Sequence, residues 1–296
     1  AGWTRCLDLC PAVFLANPSG ATASAGPSRS DLVIRKMMIL AALAIALLSW
    51  WLLTGLVLWG SRGSPVRQRL SMAVWSVGLM VGLSVHAEAS RSDSGVASLL
   101  CFLSVLAVWA WQEAAFLVGV VTGPNRARAT PDLVGWRRFW RAFLTVSHHE
   151  LALLALFAAL VIPSVGAINQ TGLATFAVLW IMRLSAKLHL MLGVKNFYEE
   201  FLPTRLSHMA SYFRRRDFNW LLPLSVGAGL WMAYALWDLI RGAAQPSGIA
   251  FGFSLVLGLV ILAVVEHLLL FLPCQPQRLW SWALRSDASV IRERIG

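Results

Sequence analysis

Apolar positions along this chain do not alternate with polar ones; they gather into long runs separated by short charged or Gly- and Pro-containing breaks. A bilayer core about 30 Å thick needs about 20 apolar residues per spanning helix. Within lipid a helix also satisfies its own backbone N–H and C=O groups. The pattern therefore predicts an all-α polytopic membrane protein with about seven transmembrane helices, at 38–60, 70–87, 97–122, 146–166, 171–193, 219–241 and 248–272. Pro124 and Pro273 read as terminators of their runs, since proline brings no N–H to a helical ladder. No internal repeat is visible in the spacing.

Two breaks carry aromatic and basic residues together and predict short interfacial segments, GWRRFWRAF at 135–143 and SYFRRRDFNW at 211–220. In the first, Trp136, Phe139, Trp140 and Phe143 recur at i, i+3, i+4 and i+7 while Arg137, Arg138 and Arg141 point elsewhere, the pattern of a helix lying in the headgroup layer. Simple anchoring of the next span explains it better than a specific lipid or partner site does. The stretch LGVKNFYEEFLPTRL at 192–206 admits two readings. It is either a helix extension closed by Pro203, which puts Glu199 or Glu200 beneath the membrane core, or a surface segment whose acids pair with Arg205 and the Arg214–Arg216 run.

The first 36 residues lack helical periodicity and are rich in Ser, Ala, Gly and Pro, so 1–36 is expected to be a disordered or non-native extension, with Met37 or Met38 as a natural start. Residues 37–285 would then be the transmembrane domain and 286–296 a polar tail.

Composition agrees with a lipid solvent: 58% of residues are hydrophobic, 13% charged, and mean hydropathy is +0.67. The formal net charge of +11 does not point to nucleic acid, because its Lys and Arg sit in short patches between apolar runs. Those patches alternate. Arg62, Arg67 and Arg69 follow the first run, Arg126, Arg128, Arg137, Arg138 and Arg141 the third, Lys195, Arg205 and Arg214–Arg216 the fifth, and Arg278, Arg285, Arg292 and Arg294 the seventh. The other side carries only Arg91 and Arg241, with Arg35 and Lys36 in mild opposition. Basic loops face the cytoplasm, so the amino terminus is expected outside and the carboxyl terminus in the cytoplasm. The cysteines, Cys6, Cys10, Cys101 and Cys274, form neither a disulfide framework nor a zinc pattern.

Ionisable residues inside the runs narrow the functional question, since a charge within a bilayer is costly and normally faces a partner or a cavity. Glu113, His149, Glu150, Arg183, Lys187, Glu266 and His267 all fall in the cytoplasmic half of their spans, and Glu200 follows the fifth. They are expected to form one buried polar cluster. Arg183 and Lys187 share a helix face and call for carboxylates from neighbouring helices. Three uses remain open: an ion-pair network that fixes packing, a proton or ion pathway, or an iron or manganese site drawn from Glu113, His149, Glu150, Glu200, Glu266 and His267. His and Glu stand next to each other rather than three apart, unlike a di-iron bundle. No phosphate loop, dinucleotide fingerprint or nucleophile elbow is present, so no catalytic residue is assigned.

LLSWWLLTGLVLW, WQEAAFLVGVVTGP, HELALLA, LWIMRLSAKLHLMLGV, NFYEEFLP, SYFRRRDFN and EHLLLFLP, in this order from about Met37 to Arg285, make the chain resemble the PuhE family of photosynthetic complex assembly proteins of anoxygenic phototrophic bacteria. The family pattern has His before the Glu of the third span, where this chain has Gln112, and Asn where it has His189. The resemblance implies a multi-pass protein of the bacterial cytoplasmic or intracytoplasmic membrane. It would support formation of the reaction centre and light-harvesting complex by binding a subunit or pigment intermediate. Implied partners are membrane lipid, reaction-centre or light-harvesting subunits and pigment-synthesis proteins; implied ligands are bacteriochlorophyll or a metal ion. The competing expectation is a membrane metalloenzyme acting on a lipophilic pigment precursor.

Overall fold

The computed structural model describes residues 28–284 except 198 and 244–246. Ten α-helices follow in order: α1 Arg29–Ser61, α2 Pro65–Ala89, α3 Gly95–Val118, α4 Gly135–Phe143, α5 Ser147–Ser164, α6 Thr171–Leu192, α7 Ser207–Ala210, α8 Leu221–Gly242, α9 Gly248–Leu269 and α10 Ser281–Leu284. The protein is all-α and polytopic, and among the described residues six helices, α1, α2, α3, α5, α6 and α9, are long and apolar enough to cross a membrane.

The seventh expected span is α8, equally long at 22 residues but diluted in hydropathy by Trp231, Tyr234, Trp237 and Asp238. Its ends show that it also runs between the two faces. At one face the Asn219 amide donates to Gly193 O beyond α6, and Asn196 N–H donates to Leu270 O beyond α9. At the other, Ser98 of α3 donates to Gly248 O at the start of α9, and Asn169 before α6 donates to Ser98. The Arg35 guanidinium near the start of α1 donates to Ile240 O at the end of α8. The amino-terminal end of α1 and the carboxyl-terminal α10 therefore lie at opposite faces.

Local chemistry sets the helix ends. Ser28 forms a capping box with Asp31, Ser64 caps α2 with Pro65 in its first turn, and Ser94 and Ser247 cap α3 and α9. α3 closes on Gly119, which takes a φ of 84°, a left-handed conformation open to glycine without strain. The Ser28 cap places the first helix start at Arg29, so 29–36 of the expected extension is helical and continuous with the first span. The rest of that extension, and the expected 286–296 tail, lie outside the described residues.

α3 and α9 hold the centre, and their buried faces meet α1, α6 and α8 through Ala42, Ala46, Phe102, Ile240, Leu255 and Val260. Small residues set the close approaches, as they do between membrane helices, where van der Waals packing replaces the hydrophobic drive of water. A Cβ built on Gly258 would lie 2.7 Å from the Ala46 Cβ, and one on Gly252 would lie in the Thr171 hydroxyl. Outward faces of α1 and α2 expose Met37, Leu40, Val66 and Met80, each about two-thirds or more exposed, as lipid contact requires.

α4 spans the same nine residues the aromatic spacing predicted. Trp136, Phe139, Trp140 and Phe143 stack in series, with Trp136 and Phe139 ring centres 4.9 Å apart. After α6 the chain does not extend as a helix: Gly193 ends it, and 199–201 and 204–206 form short 3-10 turns. Of the two readings of 192–206, the surface segment is the one observed.

Candidate functional site

The polar layer assembles where α3, α5, α6 and α9 approach the face that carries α4 and α7. Arg183 of α6 reaches α3, its guanidinium donating to Glu113 Oε2 at 2.7 Å. One turn later Lys187 reaches α5, with Nζ 2.5 Å from Glu150 Oε1, while the Trp180 indole donates to Glu150 Oε2 at 3.2 Å. The i, i+4 spacing places both cations on one face of α6, and the neighbours each supply one carboxylate.

His149 and His267 sit beside this layer with other partners. His149 is 1% exposed; the Gln112 amide donates to its Nδ1 at 3.1 Å and to its backbone oxygen at 3.0 Å, and the Phe116 ring lies 4.7 Å away. His267 bonds Ala263 O through Nδ1 at 2.7 Å and Ser185 Oγ through Nε2 at 2.9 Å. His189 bonds Ser225, and its ring centre lies 5.2 Å from that of His267. These imidazoles tie α3 to α5, α9 to α6 and α6 to α8.

Glu200 is not brought into the layer. It is exposed in a 3-10 turn, where its backbone oxygen accepts from Arg62, and its neighbour Glu199 lies 3.9 Å from Arg215. Of the six residues weighed as metal ligands, Glu113, His149, Glu150, Glu200 and His267 are divided among these contacts, and Glu266 lines the neighbouring space. Among the described residues, no three His, Cys, Asp or Glu side chains gather to hold a metal ion. Cys6 and Cys10 lie outside the described residues. Asn196 serves the fold, since its side-chain amide donates to Leu269 O, a carbonyl at the end of α9, and to Leu272 O in the turn that follows.

Two cavities of about 280 and 350 Å³ open beside the ion pairs and share Trp50, Phe116, Arg183, Phe201, Glu266 and Trp280 as common wall. They adjoin at these residues. The smaller runs between α1, α3, α6 and α9; the larger runs beneath the interfacial elements, bounded by Phe139 and Phe143 of α4 and by Tyr212 and Phe213. Arg183 and Glu266 are both exposed to this space, the Arg183 side chain at 45%, although they lie inside the bundle. An apolar cavity with a few convergent polar groups is the usual form of a small-molecule site.

The sequence located the charged residues of the layer but not its aromatic wall. Trp50, Phe201 and Trp280 lie on α1, the 193–220 segment and the turn before α10, distant in sequence from each other and from Arg183. The packing of Trp280 against Trp50 at 5.1 Å and Phe201 at 5.8 Å brings them together. The hydroxyl partners Ser185 and Ser225 carried no signal beyond their positions on spans. Gln112 was visible as the residue before Glu113, but its link to His149 crosses between helices.

Residues 36–290 match the family model described as "Protein of unknown function (DUF3623)". A protein of Rhodobacter capsulatus, "Uncharacterized 30.4 kDa protein in puhA 5'region", is 40% identical over 242 residues, which cover 80% of this chain and 88% of the relative. No solved structure matches. The chain belongs to the DUF3623 family.

Proposed function

We propose that this family member is a PuhE-type assembly factor of the bacterial cytoplasmic membrane that supports formation of the photosynthetic reaction centre and light-harvesting complex. It does so by holding a subunit segment or pigment intermediate in its intramembrane cavity, with its amino terminus outside and its carboxyl terminus in the cytoplasm. The observation that carries the reading is the pair of adjoining cavities, whose aromatic walls close on Arg183 and Glu266. Both cations of the layer, Arg183 and Lys187, already hold a carboxylate, and a largely apolar space with a few polar groups suits binding. The photosynthetic setting is supported by the name of the Rhodobacter relative, which refers to the puhA 5' region.

The test is deletion of the gene in its phototrophic host, followed by near-infrared absorption of isolated membranes. Reaction-centre and antenna absorption per cell should fall, and wild-type protein should restore it. Ala186 lines both cavities, so Ala186→Trp should fail to complement while accumulating in the membrane, whereas Gly227→Ala, which meets nothing within 4 Å, should complement fully. Undiminished complexes in the deletion strain would refute the proposal.

A further inference from the structure

Three carboxylates, those of Glu113, Glu150 and Glu266, and two cations, Arg183 and Lys187, line the two adjoining cavities, with Arg183 and Glu266 common to both. Glu113 is taken by Arg183 and Glu150 by Lys187. Among the described residues, Glu266 has no Lys, Arg or His nitrogen within 4.0 Å; the Trp50 side chain hydrogen-bonds it, and Arg183 and Glu113 act on it as charges. One acceptor is wholly unmet, because Glu113 Oε1 is buried without a hydrogen-bond partner beside the Arg183 pair. Arg183 uses one N–H on Glu113 and has further donors on an exposed guanidinium. The polar part of the wall thus carries the remaining Arg183 donors together with the spare lone pairs of Glu266 and the unmet Glu113 oxygen, groups that are costly in a low-dielectric interior until something satisfies them.

Charge decides which head group fits. An anionic head would meet Arg183 but also Glu266 and the open oxygen of Glu113, and the cations are already neutralised. A cationic head would meet Glu266 but, having donors only, would leave the remaining Arg183 N–H groups without an acceptor. A hydroxyl meets both needs with one oxygen, donating its proton to a carboxylate and accepting an N–H on its lone pairs. The rest of the wall, including Trp50, Phe116, Phe201 and Trp280, is apolar and suits a hydrocarbon chain. The two volumes, about 280 and 350 Å³, lie at the lower end of the 300–1,000 Å³ common for small-molecule sites.

We propose that the cavity binds a long-chain alcohol, its hydroxyl held between Glu266 and Arg183 and its chain laid along the aromatic wall. This rests on the reading of the cavity as a binding site and adds the head-group chemistry that the site selects.

The probes are hexadecan-1-ol, palmitate, hexadecylamine and hexadecane, titrated at neutral pH into the full-length protein in phosphatidylcholine nanodiscs, with empty nanodiscs as baseline. Hexadecan-1-ol should bind saturably, one per protein, at least about tenfold more tightly than the other three, the margin expected for satisfying buried polar groups. Ala186→Trp should abolish this binding and Glu266→Leu should weaken it about tenfold. Glu266→Gln, which keeps shape and an acceptor, should weaken it less and serves if the leucine variant does not fold. Equal binding of all four probes, a preference for palmitate or the amine, no saturable binding to folded protein, or an unaffected Ala186→Trp would each overturn the proposal. Failure of this head-group ranking leaves the binding reading standing when Ala186→Trp still fails to complement in the host; an intact deletion strain removes that reading itself.

Discussion

Lys187 Nζ sits 2.5 Å from Glu150 Oε1, and both side chains are largely enclosed, at 22% and 13% exposure. The pair joins α6 to α5 inside the membrane, and Trp180 binds the other carboxylate oxygen. Removing one partner leaves an uncompensated charge, which in a buried pair costs about 3–5 kcal/mol. Lys187→Met should therefore destabilise the detergent-solubilised protein by about that amount. The double variant Glu150→Leu/Lys187→Met should recover most of the loss, because it removes both desolvated charges together. Arg183→Met should cost about as much, since it strands the Glu113 carboxylate, whose side chain is 12% exposed. Denaturant unfolding of the variants in one detergent checks the ranking.

Packing at the α6–α9 crossing yields a second prediction. A Cβ on Gly252 would overlap Thr171 Oγ1 and stand 3.1 Å from Ser98 Oγ, in a junction that also carries the Ser98 bond to Gly248 O. Gly252→Leu has nowhere to go and should cost more than the about 1–3 kcal/mol of ordinary overpacking, read as loss of monodisperse protein. Gly227→Ala on α8 meets open space and should be neutral or stabilising by up to about 1 kcal/mol, the helix-propensity gain. Size-exclusion profiles and thermal melts of the pair check this.

The helices and the charged part of the layer were legible because lipid imposes a length and makes every intramembrane charge stand out. Arg183 and Lys187, four apart, announced a shared face and a need for carboxylates, and Glu113 and Glu150 supply them. Glu200 was misplaced for the opposite reason: beyond Leu192 the sequence LGVKNFYEEF is as apolar as a helix extension, and only the turn at Gly193, fixed by the Asn219 bond to its carbonyl, sends it to the surface. The cavity was illegible. Its wall depends on side chains from four distant segments leaving space between them, and no local pattern encodes a space. The start of α1 was hidden by composition, since the Ser28 capping box lies in a segment whose Ser and Gly content reads as disorder.

Gln112 supplies a third prediction. It is wholly buried and donates to both His149 Nδ1 and His149 O, a link between α3 and α5 that leaves the imidazole proton on Nε2. Gln112→Leu keeps the volume but strands two acceptors, and the loss should be about 1–3 kcal/mol. Gln112→Glu should be worse at neutral pH, because a carboxylate cannot donate to the carbonyl and adds a buried charge. An unfolding midpoint unchanged in Gln112→Leu would show that the link contributes nothing to stability.

The orientation has a direct chemical readout. Cys274 is exposed just past α9, on the face that carries α4 and the basic segment 193–220, whereas Cys101 is buried inside α3. Basic loops are retained on the cytoplasmic side, so the proposed orientation puts Cys274 there. In a Cys6→Ser/Cys10→Ser background, a membrane-impermeant maleimide should label the protein in inside-out vesicles and leave it unlabelled in spheroplasts. Cys274→Ser should abolish the labelling, and Cys101 should react only after denaturation. The result also bears on α8, whose hydropathy alone leaves it short of the other spans. If α8 crosses, Arg91 on the α2–α3 loop and Arg241 at the end of α8 share the outer face, and cysteines placed there should label from spheroplasts together. Labelling of Cys274 from outside would invert the protein. Labelling of position 241 from the same side as Cys274 would mean that α8 does not traverse the bilayer.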